Sequence, residues 1–140
     1  MNHRLTLSWR VWIIALVTIV PLALYMVPVH RLASRLAALG RARGTTPIDD
    51  IVADVDRWQH LLCWPWRSTC LKRASVLFAL LRRGGIDVEL YIGVKRDADK
   101  AFAAHAWLVR EGMPYLESPG SSLSTYSLIA RFPESPGVAA

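Results

Sequence analysis

Hydrophobic and polar positions divide the chain into a long apolar stretch followed by shorter, patterned segments. From Val11 to Val29 (VWIIALVTIVPLALYMVPV) nineteen consecutive residues carry no charge. A helix of that length reaches across a bilayer core of roughly 30 Å. Pro21 and Pro28 weaken a straight span, so a helix packed on a soluble domain is the competing reading. Arg41 to Pro47 (RARGTTP) then reads as a linker, punctuated by Gly and Pro. In Ile48 to Leu62, the residues Ile51, Val52, Val55, Trp58 and Leu62 recur at helical spacing. Asp49 and Asp50 fall near the start of that helix, where its dipole favours negative charge. Pro65 in Cys63 to Arg67 (CWPWR) breaks the pattern.

A second amphipathic helix follows over Cys70 to Arg83. Ser68-Thr69 opens it, Leu71, Ala74, Leu77, Phe78 and Leu81 form its stripe, and Gly84-Gly85 stops it. Ile86 to Val94 alternates Ile86, Val88, Leu90, Ile92 and Val94 on one face, the period of a strand. The charged run Lys95 to Lys100 is expected to be a loop. Ala103 to Val109 reads as a further strand, Glu111-Gly112 as a hairpin turn and Pro114 to Glu117 as the returning strand. Beyond Ser118 a Pro-, Gly- and Ser-rich tail is expected, with a short element at Tyr126 to Phe132. The order is two helices and then an antiparallel meander, an α+β fold.

Composition changes this picture in one respect. The net charge of +6 over 140 residues suggests a nucleic-acid partner, but its distribution opposes that reading. Before Asp49 stand six arginines (Arg4, Arg10, Arg31, Arg35, Arg41, Arg43) and no acid; from Asp49 onward 11 basic and 11 acidic residues cancel. Arginines around an apolar run suit anionic lipid headgroups better than a DNA groove. If the run spans, two arginines precede it and four follow, which leaves the C-terminal part in the cytoplasm. Residues 1–48 are therefore expected to form a membrane-associated or packing segment, and 49–140 the functional domain. Two cysteines are too few for a disulfide scaffold or a four-thiolate zinc site, and six Trp exclude wholesale disorder. His3, His30, His60 and His105 are scattered without metal-ligand spacing, and no phosphate-binding glycine loop is present. No cofactor is expected.

Candidate chemistry centres on Cys70. At the first turn of its helix, unpaired N–H groups and the dipole favour a negatively charged sulfur, and Lys72 and Arg73 add positive charge nearby. A nucleophilic cysteine also needs a histidine to manage protons and a third group to hold the imidazole. His105 stands in a strand among Ala103, Ala104, Ala106 and Trp107, where small neighbours leave room for the helix. Hairpin symmetry about residue 111 sets Glu117 opposite His105 or one position off. Cys63 lacks a helix start and is assigned to packing. His60 is expected to cap its helix or face out of it. Gln59 is noted because papain-type sites place a glutamine near the oxyanion.

Thr69-Cys70-Leu71 with Arg73-Ala74, Leu80-Leu81-Arg82-Arg83-Gly84, Ile92-Gly93-Val94 and His105-Ala106-Trp107 resemble the lasso peptide biosynthesis B2 proteins. These are leader cysteine peptidases of transglutaminase-like type. The match runs from about Asp50 to Glu117, and the arginine-flanked N-terminus is similar in character. The resemblance implies a papain- or transglutaminase-like core, with a Cys-bearing helix packed on a small antiparallel sheet. It implies that Cys70 is the nucleophile and His105 the base. The family's third residue is usually Asp, and Glu117 stands at the matching position. The implied substrate is a precursor peptide cut at its leader–core junction, and an ATP-dependent cyclase then closes the freed core. The first 48 residues are too few for a leader-recognition module, so the resemblance implies a separate recognition protein. Two other functions stay open: a different acyl transfer or deamidation at the same site, and a non-catalytic membrane-associated scaffold.

Overall fold

The computed structural model describes residues 5–42, 44–62, 69–96, 98, 102–118 and 120–133. Cys63, Pro65 and the rest of the CWPWR break lie outside the described residues, as does most of the charged run after Arg96. Among the described residues, four helices precede a four-stranded antiparallel sheet: α1 (Leu7–Met26), α2 (Val29–Ala37), α3 (Ile48–Leu61) and α4 (Cys70–Arg83), then β1 (Glu89–Arg96), β2 (Phe102–Arg110), β3 (Met113–Tyr115) and β4 (Ser127–Phe132). The α+β class read from the sequence holds.

The apolar run forms one helix and opens a second. Pro21 sits inside α1 without ending it, while extended Val27 and Pro28 separate α1 from α2. α1 buries Trp9, Ile13, Leu16, Val17 and Val20 in the same core as the rest of the chain. Its other face, from Leu7 through Val11, Ile14, Leu22 and Tyr25 to Met26, is exposed. α2 is the element the sequence pattern did not announce. Its buried Leu32, Ala33 and Leu36 are interleaved with exposed His30, Arg31 and Arg35, which conceal a short amphipathic helix.

At the centre lies α4, with every residue from Ala74 to Leu81 buried. One side of it meets the helices and the other meets the sheet, so its core is apolar nearly all round. Thr69 caps it, the hydroxyl oxygen accepting from the Lys72 N–H at 3.4 Å. At its other end Ile86 N–H donates to the Leu81 carbonyl at 2.9 Å. That bond ties Ile86 to the helix terminus, which is why the first strand starts three residues later than its alternation suggests.

The sheet order is β3-β2-β1-β4. Lys95 and Arg96, expected in a loop, instead continue β1 and pair with Ala103 and Phe102. Their cationic groups lie over aromatic rings, Lys95 Nζ 5.1 Å from the centroid of Tyr126 and the Arg96 guanidinium carbon 4.7 Å from that of Phe102. The short element expected near Tyr126 is β4, and it pairs with β1 rather than extending the meander.

The β2–β3 turn is two residues, Glu111 (φ 52°) and Gly112 (φ 77°), both in the left-handed region that suits tight hairpins. This sets Leu108 opposite Tyr115 and Val109 opposite Pro114. The expected strand Pro114 to Glu117 is therefore corrected. The ladder stops at Tyr115, and Leu116 turns the chain away with a φ of 59°.

Candidate active site

A cavity of about 380 Å³ opens between the C-terminal half of α3, the first turn of α4, the middle of β2 and the segment leaving β3. Cys70, His105 and Glu117 all line it. The sequence-derived set is thus gathered around one space, although its members are separated by 35 and 12 positions along the chain.

Cys70 is the first residue of α4, half-buried, and lies directly after the Thr69 cap. Helix geometry leaves its backbone N–H without an intrahelical acceptor, since only from the fifth residue do donors find carbonyls within the helix. The same end of the helix carries the positive end of the dipole. Ala74, one turn further on, and Ala106 on β2 are both buried and both line the cavity. Their small side chains keep it open between helix and sheet.

His105 is paired with Gly93 on β1 and stands beside two aromatic rings. Trp107 lies nearly parallel to it, at 16° with centroids 5.9 Å apart, and Tyr126 lies at 5.5 Å and 38°. Gly93 is required by this packing. A Cβ there would stand 2.9 Å from Trp107 Cη2 and 3.0 Å from Tyr126 Cβ. The imidazole is therefore fixed from the side by a ring that is itself seated on a glycine.

Glu117 reaches His105 by leaving the ladder. Continued at its own register, the hairpin would set Glu117 opposite Ala106, one position off His105, as the turn arithmetic allowed. The left-handed Leu116 redirects the chain, and Glu117 Oε2 lies 3.4 Å from His105 Nε2. Such a conformation costs a non-glycine residue about 1–2 kcal/mol, so neighbouring contacts must hold it. With Nε2 engaged by the carboxylate, Nδ1 is the ring nitrogen left for other work.

The positive charge read near Cys70 is spent elsewhere. Lys72 is buried and its Nζ lies 3.5 Å from the Tyr25 hydroxyl of α1. Arg73 does line the cavity, but Asp56 of α3 is paired with it at 2.6 Å and neutralises it. His60 is exposed, as the outward-facing reading expects, and it also lines the cavity. Asp56 and His60 are the site residues that sequence reasoning passed over. Their spacing of four, which stacks two side chains on one helix face, was the available signal. Gln59 is buried within α3 and is not among the residues lining the cavity. Cys63 lies outside the described residues. Among the described residues, no group of three or more His, Cys, Asp or Glu side chains gathers as a metal ion would require.

The family described as the transglutaminase-like superfamily matches residues 4–130. Among curated proteins and among solved structures no match is found.

Proposed function

Because the chain belongs to the transglutaminase-like superfamily, a group of cysteine peptidases and acyl transferases, we propose that it is the leader peptidase of lasso peptide biosynthesis. The observation that carries the reading is the Glu117 carboxylate against His105 Nε2, in the cavity that also receives Cys70 at the start of α4. The lasso assignment rests on the sequence features around these positions, from Thr69-Cys70-Leu71 to His105-Ala106-Trp107.

In this reading the Cys70 sulfur attacks the carbonyl carbon of the scissile peptide bond. The charge that builds on the carbonyl oxygen is met by N–H groups at the start of α4, that of Cys70 first. His105, protonated at Nδ1 and held through Nε2 by Glu117, delivers a proton to the departing amine as the C–N bond breaks. Leader and enzyme are then joined as a thioester. Nδ1 takes a proton from water, the hydroxide adds to the thioester carbon, and the thiol leaves with its proton restored. Glutamate performs the orienting role usually given to aspartate, with one methylene more of reach.

The partners that follow are a precursor peptide, a separate leader-recognition protein that delivers it, and an ATP-dependent cyclase that takes the product. We place the enzyme in the cytoplasm with the outward face of α1 against the inner membrane surface. That face is apolar along the helix, Arg10 is exposed on the same helix, and Arg31, Arg35 and Arg41 are exposed just beyond it. α1 is long and apolar enough to cross a membrane, but its other face is committed to the core. The arrangement therefore fits a helix lying in the interface.

The test is mass spectrometry of a short precursor peptide from the same gene neighbourhood, incubated with the chain and its recognition protein. Cleavage into leader and core, lost in Cys70→Ala and in His105→Ala, is the expected result. An intact peptide about one mass unit heavier would identify deamidation instead. Cleavage retained by Cys70→Ala would overturn the proposal.

A further inference from the structure

We propose that Arg73 is a positioning residue that sets the Glu117 carboxylate against His105, and that Asp56 holds Arg73 in place to do so. The inference rests on the reading of Cys70, His105 and Glu117 as the reacting set, and concerns what makes that set possible. Glu117 lies beyond the last paired residue of β3, so no strand ladder fixes it. The residue before it, Leu116, is in the left-handed region at φ 59°. Some contact outside the hairpin must choose this path for the chain.

Arg73 supplies one. It stands a single helical turn after Cys70, and its guanidinium uses two edges at once. Nε and Nη2 donate to the two oxygens of Asp56 at 2.6 and 3.2 Å. Nη1 donates to the Leu116 carbonyl at 3.4 Å. Because the guanidinium is a rigid plane, the paired carboxylate on one edge fixes where the remaining nitrogen points. α3, α4 and the segment after β3 are thereby joined through one side chain. The helix that carries the nucleophile also holds the backbone next to the group that orients the base.

A lysine cannot replace this arrangement. Its single ammonium has no plane to orient and cannot span a carboxylate and a carbonyl in the same geometry. Arg73→Lys, which keeps the charge, therefore separates positioning from electrostatics.

The experiment uses the full chain with ¹⁵N-labelled histidine, reading the His105 ring nitrogens by NMR and assigning them with His105→Asn. Glu117→Gln should shift the tautomer pattern of the ring. Arg73→Gln and Arg73→Lys should each reproduce that shift, with Asp56→Asn moving it part of the way. Thermal unfolding checks that each variant is folded, and Asp56→Asn carries the test if Arg73→Gln is not. In the cleavage assay, Arg73→Lys should lower kcat by about 10–100-fold, part of what acid–base groups contribute, with KM little changed. Added to Glu117→Gln, it should cost nothing further. A wild-type His105 pattern in folded Arg73→Gln or Arg73→Lys, beside a shifted one in Glu117→Gln, would overturn the positioning role alone. An unshifted ring in Glu117→Gln would remove the three-residue reading, and the positioning role with it.

Discussion

Gly93→Ala tests the packing that seats His105. The added Cβ would lie 2.9 and 3.0 Å from Trp107 Cη2 and Cζ3 and 3.0 Å from Tyr126 Cβ. Ordinary carbon contacts fall at about 3.5–4.0 Å, so each neighbour must retreat by roughly 0.5–1 Å. Neither can do so freely. Tyr126 Cβ is joined directly to the backbone, and the indole is a rigid plate already lying against His105 and Tyr126. Overpacking of this kind costs about 1–3 kcal/mol, and two stiff neighbours argue for the upper half of that range. Replacing glycine in a strand returns about 0.5–1 kcal/mol of chain entropy. The net loss is then about 1–2.5 kcal/mol, a fall in Tm of roughly 3–8 °C for a chain of this size. Circular dichroism melting reads the stability, and the same sample in the cleavage assay should show activity falling as the indole pushes on the imidazole. Trp107→Phe removes the atoms that collide, so the double variant should be more stable than the sum of the two singles predicts. An unchanged or raised Tm with full activity in Gly93→Ala would refute the account.

Other substitutions address the core, the cap, the thiol and the surface. Phe78→Ala removes a fully buried ring from α4 and should cost about 3–5 kcal/mol in denaturant unfolding. Thr69→Ala removes the cap ahead of Cys70 and should cost about 0.5–2 kcal/mol, with lower cleavage as the first turn frays. Iodoacetamide followed by peptide mapping should modify Cys70 faster than Cys63, whereas equal, slow labelling would favour a scaffold. Val11→Glu and Leu22→Glu alter exposed positions of α1 and should change stability by no more than about 0.5 kcal/mol. Both should abolish sedimentation with vesicles containing anionic lipid, and undiminished sedimentation would end the membrane proposal.

Legibility in the sequence followed the strength of local signals. The Cys70–Arg83 helix is bounded by a Thr cap and a Gly-Gly stop, and both ends fall where those residues place them. The first strand is displaced because alternation from Ile86 says nothing of the hydrogen bond that ties Ile86 to Leu81. Charge alone places Lys95 and Arg96 in a loop, but aromatic rings of β2 and the segment before β4 receive their cationic groups. Hairpin arithmetic came within one residue for Glu117, since turn length sets register. The final step depends on a backbone conformation at Leu116 that no side-chain pattern announces. Arg73 was legible only as a nearby charge. Its partner Asp56 is seventeen residues away on another helix, a distance that only tertiary packing closes.

The two faces of α1 bear on how the protein can be handled. A run of this kind invites trimming, on the assumption that a dispensable tether precedes a self-sufficient catalytic unit. A chain shortened to begin at Val29 would lose Trp9, Ile13, Leu16, Val17 and Val20 from the core and bare the apolar side of α4 that they cover. Such a fragment should aggregate. Solubility is better sought by recolouring the outward residues Leu7, Val11, Ile14, Leu22 and Met26 with polar side chains, leaving the inward ones untouched. Removing the greasy end outright would remove part of the protein's own interior.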